Sequence, residues 1–189
     1  MKPAAPRERT LDELMPGDPA RSDMIARMIR VDQAGEYSAM RIYAGQLAVL
    51  GRTRAAPVLR RMAEQEKRHL DAFDRLLIER RVRPTLLQPL WHLAGFALGA
   101  ATALMGEKSA MACTVAVEET IDEHYRRQAA RLGAGDPALK DRIEEFREDE
   151  LEHRTLALEH GAKEAPGYAP LTAAIKRASR LAIWLSERI

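Results

Sequence analysis

Two short stretches, EKRHL at Glu66–Leu70 and ELEHR at Glu150–Arg154, each set a glutamate three residues before a histidine. Random placement would give about half of one such pair in a chain of this composition, so the spacing alone decides little. Position decides more. Read as a helix, Leu59, Met62, Glu66, Leu70, Phe73 and Leu77 recur at three-and-four spacing, with His69 on the same side. Leu139, Ile143, Phe146, Glu150, His153 and Ala157 do likewise, while Lys67, Arg68, Glu152 and Arg154 fall on the outside. Each pair therefore faces a core, where an uncompensated carboxylate is costly. A fold for this chain must supply that compensation twice.

Two further helical stretches each offer a matching inward acid. Glu36 lies in the series Ile29, Asp32, Glu36, Tyr43, Leu47, and Glu118 lies between Met111, Val115 and Ile121, Tyr125. Gly51 is midway between Glu36 and Glu66, and Ala134, inside a Gly-Ala-Gly turn, is midway between Glu118 and Glu150. In an antiparallel hairpin, residues equidistant from the turn stand at one height, so each half brings Glu, Glu and His to one level. Two facing halves give the ligand pattern of ferritin-like di-iron and di-manganese bundles: a glutamate from each of two helices and Glu-x-x-His from the other two. Four carboxylates balance the charge of two divalent ions in a low-dielectric interior. Oxygen and imidazole donors without thiolate suit iron or manganese better than a closed zinc site.

A single inward pair would read most simply as a satisfied core contact; the doubled pair, the level-matched acids and the internal repeat favour metal. Glu119 adjoins Glu118 and competes with it, although helix phase places Glu119 beside Arg126. Asp32 is either a partner for a ligating histidine or an exposed helix acid. His92, His124 and His160 have no matched acid and are read as non-ligands.

The chain has 189 residues and a formal charge of +2, room for one domain with a full core and no electrostatic footprint for nucleic acid. Few aromatics and abundant Ala, Leu, Arg and Glu favour helix, and no strand-like alternation occurs. The lone Cys113 excludes an intrachain disulfide and reads as a packing residue. Residues 1–22 are expected to be a loose tail, with neither the apolar core of a signal peptide nor transit-peptide character; residues 23–189 form the domain. Helical patterns run over Ser22–Leu50, Pro57–Arg81, Lys108–Leu132, Pro137–Gly161 and Pro170–Arg188, with Asp136 as an N-cap. Pro84–Gly106 contains no Asp, Glu, Lys or Arg, but its prolines, Gln88 and His92 leave too short an apolar run to span a membrane. A buried crossover helix and a segment lying in the membrane interface remain equal alternatives on composition. The small residues of GFALGAATALMG offer a surface for a second copy of the chain. At the C-terminus Arg180, Trp184 and Arg188 share one helix face, a pattern that a solvated basic helix end also explains.

The stretches VDQAGEYSAMRIYAGQLAVLGRT, PLWHLAGFALGAATALMGEKSAMACTVAVEETIDEHY, FREDELEHR and AIWLSERI closely resemble the 5-demethoxyubiquinone hydroxylase family of ubiquinone biosynthesis. The resemblance runs from about Asp23 to the C-terminus. It implies an all-α, ferritin-like four-helix bundle with an apolar crossover or interfacial helix and a C-terminal helix. It places six iron ligands, also the catalytic set, on Glu36, Glu66, His69, Glu118, Glu150 and His153, and so selects Glu118 over Glu119. The implied enzyme is a monooxygenase with two irons per chain that uses O2 to hydroxylate a polyprenylated demethoxyquinol. A water-insoluble substrate tips Pro84–Gly106 towards the interfacial reading, with the protein peripheral on the cytoplasmic face of a bacterial inner membrane. NADH is the implied reductant, held superficially by Arg27, Arg180, Trp184 and Arg188, since no Gly-rich dinucleotide loop exists. A homo-oligomer or partner proteins of ubiquinone biosynthesis are compatible with this reading. The competing functions are another ferritin-like iron oxidase or store, sharing the metal site but not the apolar segment, and a non-enzymatic membrane scaffold.

Overall fold

A computed structural model describes residues 9–189. Among the described residues there are six α-helices and no strand: α1 (Arg21–Leu50), α2 (Ala56–Glu79), α3 (Gln88–Leu104), α4 (Glu107–Leu132), α5 (Pro137–Glu159) and α6 (Tyr168–Ser186). Short 3-10 turns occur at Leu11–Glu13 and Ala162–Glu164. Pro57 in the first turn of α2 and Pro137 in that of α5 start helices where a missing N–H costs nothing. Asp136 caps α5 as its side chain expects, accepting from the Leu139 amide at 3.2 Å.

The α1–α2 and α4–α5 hairpins face one another and make the four-helix core. One apolar cluster gathers Met28, Ile29, Phe73, Tyr125, Ile143 and Phe146. A second gathers Tyr43, Leu59, Met62, Met111, Val115 and Ala157. The inward acids sit between the two.

The leading segment departs from the expected loose tail. Leu11 is buried with Leu132 and Leu139, Arg21 Nη2 donates to the Leu11 carbonyl at 3.0 Å, and the Ala134 amide donates to Asp12 Oδ2 at 3.0 Å. Residues 9–20 are thus tied over the α4–α5 turn, an arrangement that the polar, Pro-containing sequence around Leu11 does not announce. The remaining residues assigned to the tail, 1–8, lie outside the described residues.

The uncharged segment becomes α3, which crosses between the hairpins and packs most extensively on α1. Glycines make that contact. A Cβ at Gly99 would stand 2.0 Å from the Ile42 carbonyl oxygen, and one at Gly45 2.2 Å from that of Phe96. The small-residue face read as a surface for a second copy is therefore spent inside the chain, backbone against backbone. The opposite face carries Leu90, Leu93 and Leu104 into solvent, the last two 69% and 76% exposed. No helix among the described residues is long and apolar enough to cross a membrane.

Gly99→Ala should cost about 1–3 kcal/mol, since the added methyl meets backbone that cannot yield without moving α3. Gly35→Ala, whose Cβ would meet nothing within 4 Å, should instead gain about 0.5–1 kcal/mol by favouring the helix. Denaturant unfolding of the two variants tests this; equal effects would contradict the close α1–α3 contact.

Candidate metal centre

Each hairpin delivers its acids to one layer. Ligand atoms of Glu36, Glu66, His69 and Glu150 lie within 4.8 Å of one another, and so do those of Glu66, Glu118, Glu150 and His153. All six side chains are buried. Glu66 and Glu150 belong to both groups, so the constellation is two overlapping four-donor sets with two shared carboxylates between them. Donors bound at about 2.0–2.2 Å from one ion stand at most about 4.4 Å apart, so closing on an ion needs a contraction of only a few tenths of an ångström. The sequence competitor Glu119 points away, accepting from Arg154 Nε at 2.9 Å and pairing with Lys176.

The donor set fits a metal on its own chemistry. Both oxygens of Glu66 and of Glu150, Oε2 of Glu36 and Glu118, and Nδ1 of both histidines are buried without a hydrogen-bond partner. These atoms converge on one another: His69 Nδ1 is 3.2 Å from Glu150 Oε1, and His153 Nδ1 is 3.1 Å from Glu66 Oε1. Buried lone pairs left unmatched are expensive, and lone pairs aimed at a common point are what a cation satisfies. The outward ring nitrogens are occupied. His69 Nε2 meets Asp149 Oδ2 at 2.9 Å, and His153 Nε2 meets Gln65 Oε1 at 3.2 Å. Protons on Nε2 leave Nδ1 of each ring free as a ligand.

Two tyrosines complete the layer. Tyr43 Oη donates to Glu118 Oε1 at 2.8 Å, and Tyr125 Oη donates to Glu36 Oε1. Burial, reinforced by neighbouring carboxylates, pushes both phenols well above their ordinary value, so they remain donors.

The ubiquinone biosynthesis protein COQ7 family model matches residues 23–186. This chain belongs to that family. It is 57% identical over 182 residues to the 3-demethoxyubiquinol 3-hydroxylase of Rhodospirillum rubrum, covering 96% of this chain and 86% of the relative. It is 54% identical over 169 residues to the human mitochondrial NADPH-dependent 3-demethoxyubiquinone 3-hydroxylase, with 87% and 78% covered. Identity to the mitochondrial 5-demethoxyubiquinone hydroxylase of Saccharomyces cerevisiae is 43% over 187 residues, with 90% and 80% covered.

In this COQ7-family chain, the residues suggested for NADH come together outside the two donor sets. Arg27, Arg180, Trp184 and Arg188 line one cavity of about 530 Å³ between α1, α4 and α6, with His124 also in its wall. Arg180 is held by Glu123 at 3.1 Å, and the Arg188 guanidinium sits 4.3 Å from the Trp184 ring centre.

Neither reading of Asp32 describes what it does. It is buried, and its partners are His124 Nε2 at 3.2 Å and Gln128 Nε2 at 2.8 Å, not a ligating histidine. Burial pushes its carboxyl up to about 6 against the pull of His124. His124, read as lacking an acid, has this one, and it stays outside both donor sets. Sequence reasoning missed Gln65, Asp149, Tyr43 and Tyr125 as partners of the donors.

Without a bound cation, protons must balance the layer. Burial first, then the charges of their neighbours, raise Glu66 and Glu118 well above the usual carboxylate range. Burial opposes charge on Glu150 and His69 as well. The two histidines nevertheless draw Glu150 down to about 2, and Glu150 with Glu36 holds His69 up at about 11. Metal ligation needs carboxylates and neutral Nδ1 atoms, so loading must expel protons, and affinity should fall as pH falls. Adding ferrous iron anaerobically to weakly buffered protein should acidify the solution, and metal affinity should weaken at least about tenfold per pH unit lost. Loading without proton release, or independent of pH, would contradict this electrostatic description.

Proposed function

We propose that this chain hydroxylates the ring of a polyprenylated demethoxyquinol in ubiquinone biosynthesis, using O2 and two iron ions held by Glu36, Glu66, His69, Glu118, Glu150 and His153. The observation that carries the reading is the pair of buried donor sets sharing Glu66 and Glu150. The names of the family's members as demethoxyubiquinol or demethoxyubiquinone hydroxylases supply the substrate class.

One oxygen atom enters the ring, the other leaves as water, and two electrons and two protons from a reductant complete the balance. An iron pair held by these six residues would supply the redox chemistry for reducing O2. The chain's own residues do the rest. Glu66 and Glu150 span both halves of the layer, and carboxylates can change their mode of attachment without leaving it. Tyr43 and Tyr125 hold protons against Glu118 and Glu36. The apolar clusters on both sides exclude water.

The exposed Leu90, Leu93 and Leu104 of α3 support an interfacial role, with the protein peripheral on the cytoplasmic face of a bacterial inner membrane. From there the apolar seam of Leu98, Ile42, Cys113 and Val117 leads inward to the residue beside Glu118. The arginine-lined cavity suits a reduced nicotinamide dinucleotide, with guanidiniums for its phosphates and Trp184 for a ring. The family resemblance implies NADH, whereas the human relative is named for NADPH. Association with a second copy or with other proteins of the pathway belongs to the same reading.

Protein loaded with iron, given a short-chain demethoxyquinol and labelled O2, should yield ring-hydroxylated product carrying the label by mass spectrometry. Glu66→Ala or His153→Ala should lower the iron content and reduce product at least about a hundredfold. Label found only in water, with iron accumulating as mineral, would support the storage reading instead. Arg180 or Arg188 replacement should slow the NADH-driven reaction more than one supplied with pre-reduced quinol; equal slowing would remove the cavity from the reductant's path.

Leu93→Asp together with Leu104→Asp should weaken liposome binding while helical content is unchanged. Parent-like binding by that variant would place the membrane surface elsewhere on the molecule.

A further inference from the structure

The two Glu-x-x-His motifs of the layer differ in the residue that precedes each glutamate. In Gln65-Glu66-x-x-His69 and Asp149-Glu150-x-x-His153, the residue before each glutamate reaches across to the histidine of the other motif. Asp149 meets His69 Nε2 at 2.9 Å, and Gln65 meets His153 Nε2 at 3.2 Å. The two outer residues also touch: Gln65 Nε2 donates to Asp149 Oδ1 at 3.4 Å. That contact fixes the Gln65 amide, because only one orientation donates to Asp149 while presenting Oε1 to His153. The crossed pair therefore ends in a carboxylate on one side and a neutral amide oxygen on the other.

The difference matters through the imidazole rings. A hydrogen bond to a carboxylate is roughly twice as strong as one to a neutral acceptor. It draws the Nε2 proton outward and raises the electron density at the ligating Nδ1. Solvent does not erase the asymmetry: both histidines are essentially fully buried, and Asp149 is only one-third exposed. His69 thus offers its metal a stronger donor than His153 does, and the inner ligands do not cancel this. Glu66 and Glu150 are common to both sets, while Glu36 and Glu118 each receive one tyrosine hydroxyl.

We infer that Asp149 is a positioning residue that makes the two metal sites unequal, so that the ion held by Glu36 and His69 binds first and is more easily oxidised than the ion held by Glu118 and His153. The inference rests on the metal-binding reading above.

Anaerobic titration of the full chain with ⁵⁷Fe(II), followed by Mössbauer spectroscopy, tests it. The parent should fill in two resolved steps and, when full, show two distinct quadrupole doublets. Asp149→Asn should weaken the tighter step about 10–100-fold, leave the weaker step nearly unchanged, and bring the doublets together. Gln65→Glu should tighten the weaker step, and Asp149→Asn combined with Gln65→Glu should restore two unequal sites. Circular dichroism confirms that each variant folds. Equal steps in the parent, or equal weakening of both steps in Asp149→Asn, would overturn the asymmetry. Failure of the parent to bind iron at all would instead overturn the metal-binding reading on which it rests.

Discussion

Four carboxylates enclosed in one layer of a helical bundle repel one another, and the surrounding structure is built to hold them there. Two unit charges 4 Å apart at a protein-like effective dielectric of about 20 interact by about 4 kcal/mol. Several such pairs rival the roughly 5–15 kcal/mol that keeps a whole domain folded. The layer is therefore tolerable only with protons or cations between its oxygens, and only if the helices cannot spread to let water in. Apolar clusters lie on both sides of it. His69 is stacked at 4.0 Å on Phe146 from the first cluster, and Tyr43 from the second reaches Glu118. The hydrophobic core does not merely surround the acids. It fixes the spacing at which they meet.

This inner layer reverses the usual distribution of polarity, because α3 presents leucines to the outside while the interior holds charge. The glycine contacts make the two compatible. Close approach of α3 to α1 brings Leu98 into a small cluster with Ile42, Cys113, Val117 and Ile175, so the exposed stripe and the carboxylate layer are joined by apolar side chains. Cys113 belongs to that packing. Burial pushes its thiol up to about 12, which leaves it a small apolar side chain without thiolate reactivity.

What could be read from sequence followed from periodicity. Helix phase and turn midpoints place Glu36, Glu66, Glu118 and Glu150 on inward faces at one level, because both depend only on residues within one hairpin. The partners of the histidines were harder for the same reason. Gln65 and Asp149 adjoin inward glutamates, so helix phase alone directs them to the shoulder of each helix. Their value appears only once the opposite hairpin supplies a ring nitrogen. Asp32 was misread in a similar way: its partners His124 and Gln128 lie on α4, and no local spacing connects them. Composition could not decide whether Pro84–Gly106 is core or surface because α3 is both, with glycines against α1 and leucines facing outward. Leu11 was missed because one buried side chain in a polar segment makes no periodic pattern.

The polar network around Asp32 gives the carboxylate layer a second neighbour of opposite character to α3. His124 and Tyr125 are consecutive on α4, yet their polar atoms serve different places. His124 lines the arginine-rich cavity and contacts Asp32, whereas Tyr125 donates to Glu36. From the cavity inward, the chain thus presents cationic and hydrogen-bonding groups as far as a carboxylate of the buried layer. From α3 inward, it presents the apolar side chains of Leu98, Ile42 and Cys113 as far as Val117. The function proposed above asks one site to serve a charged, water-soluble reductant and a lipid-tailed quinol. A bundle with a cationic, hydrogen-bonding wall on one side and a largely apolar wall on the other suits that pair of reactants.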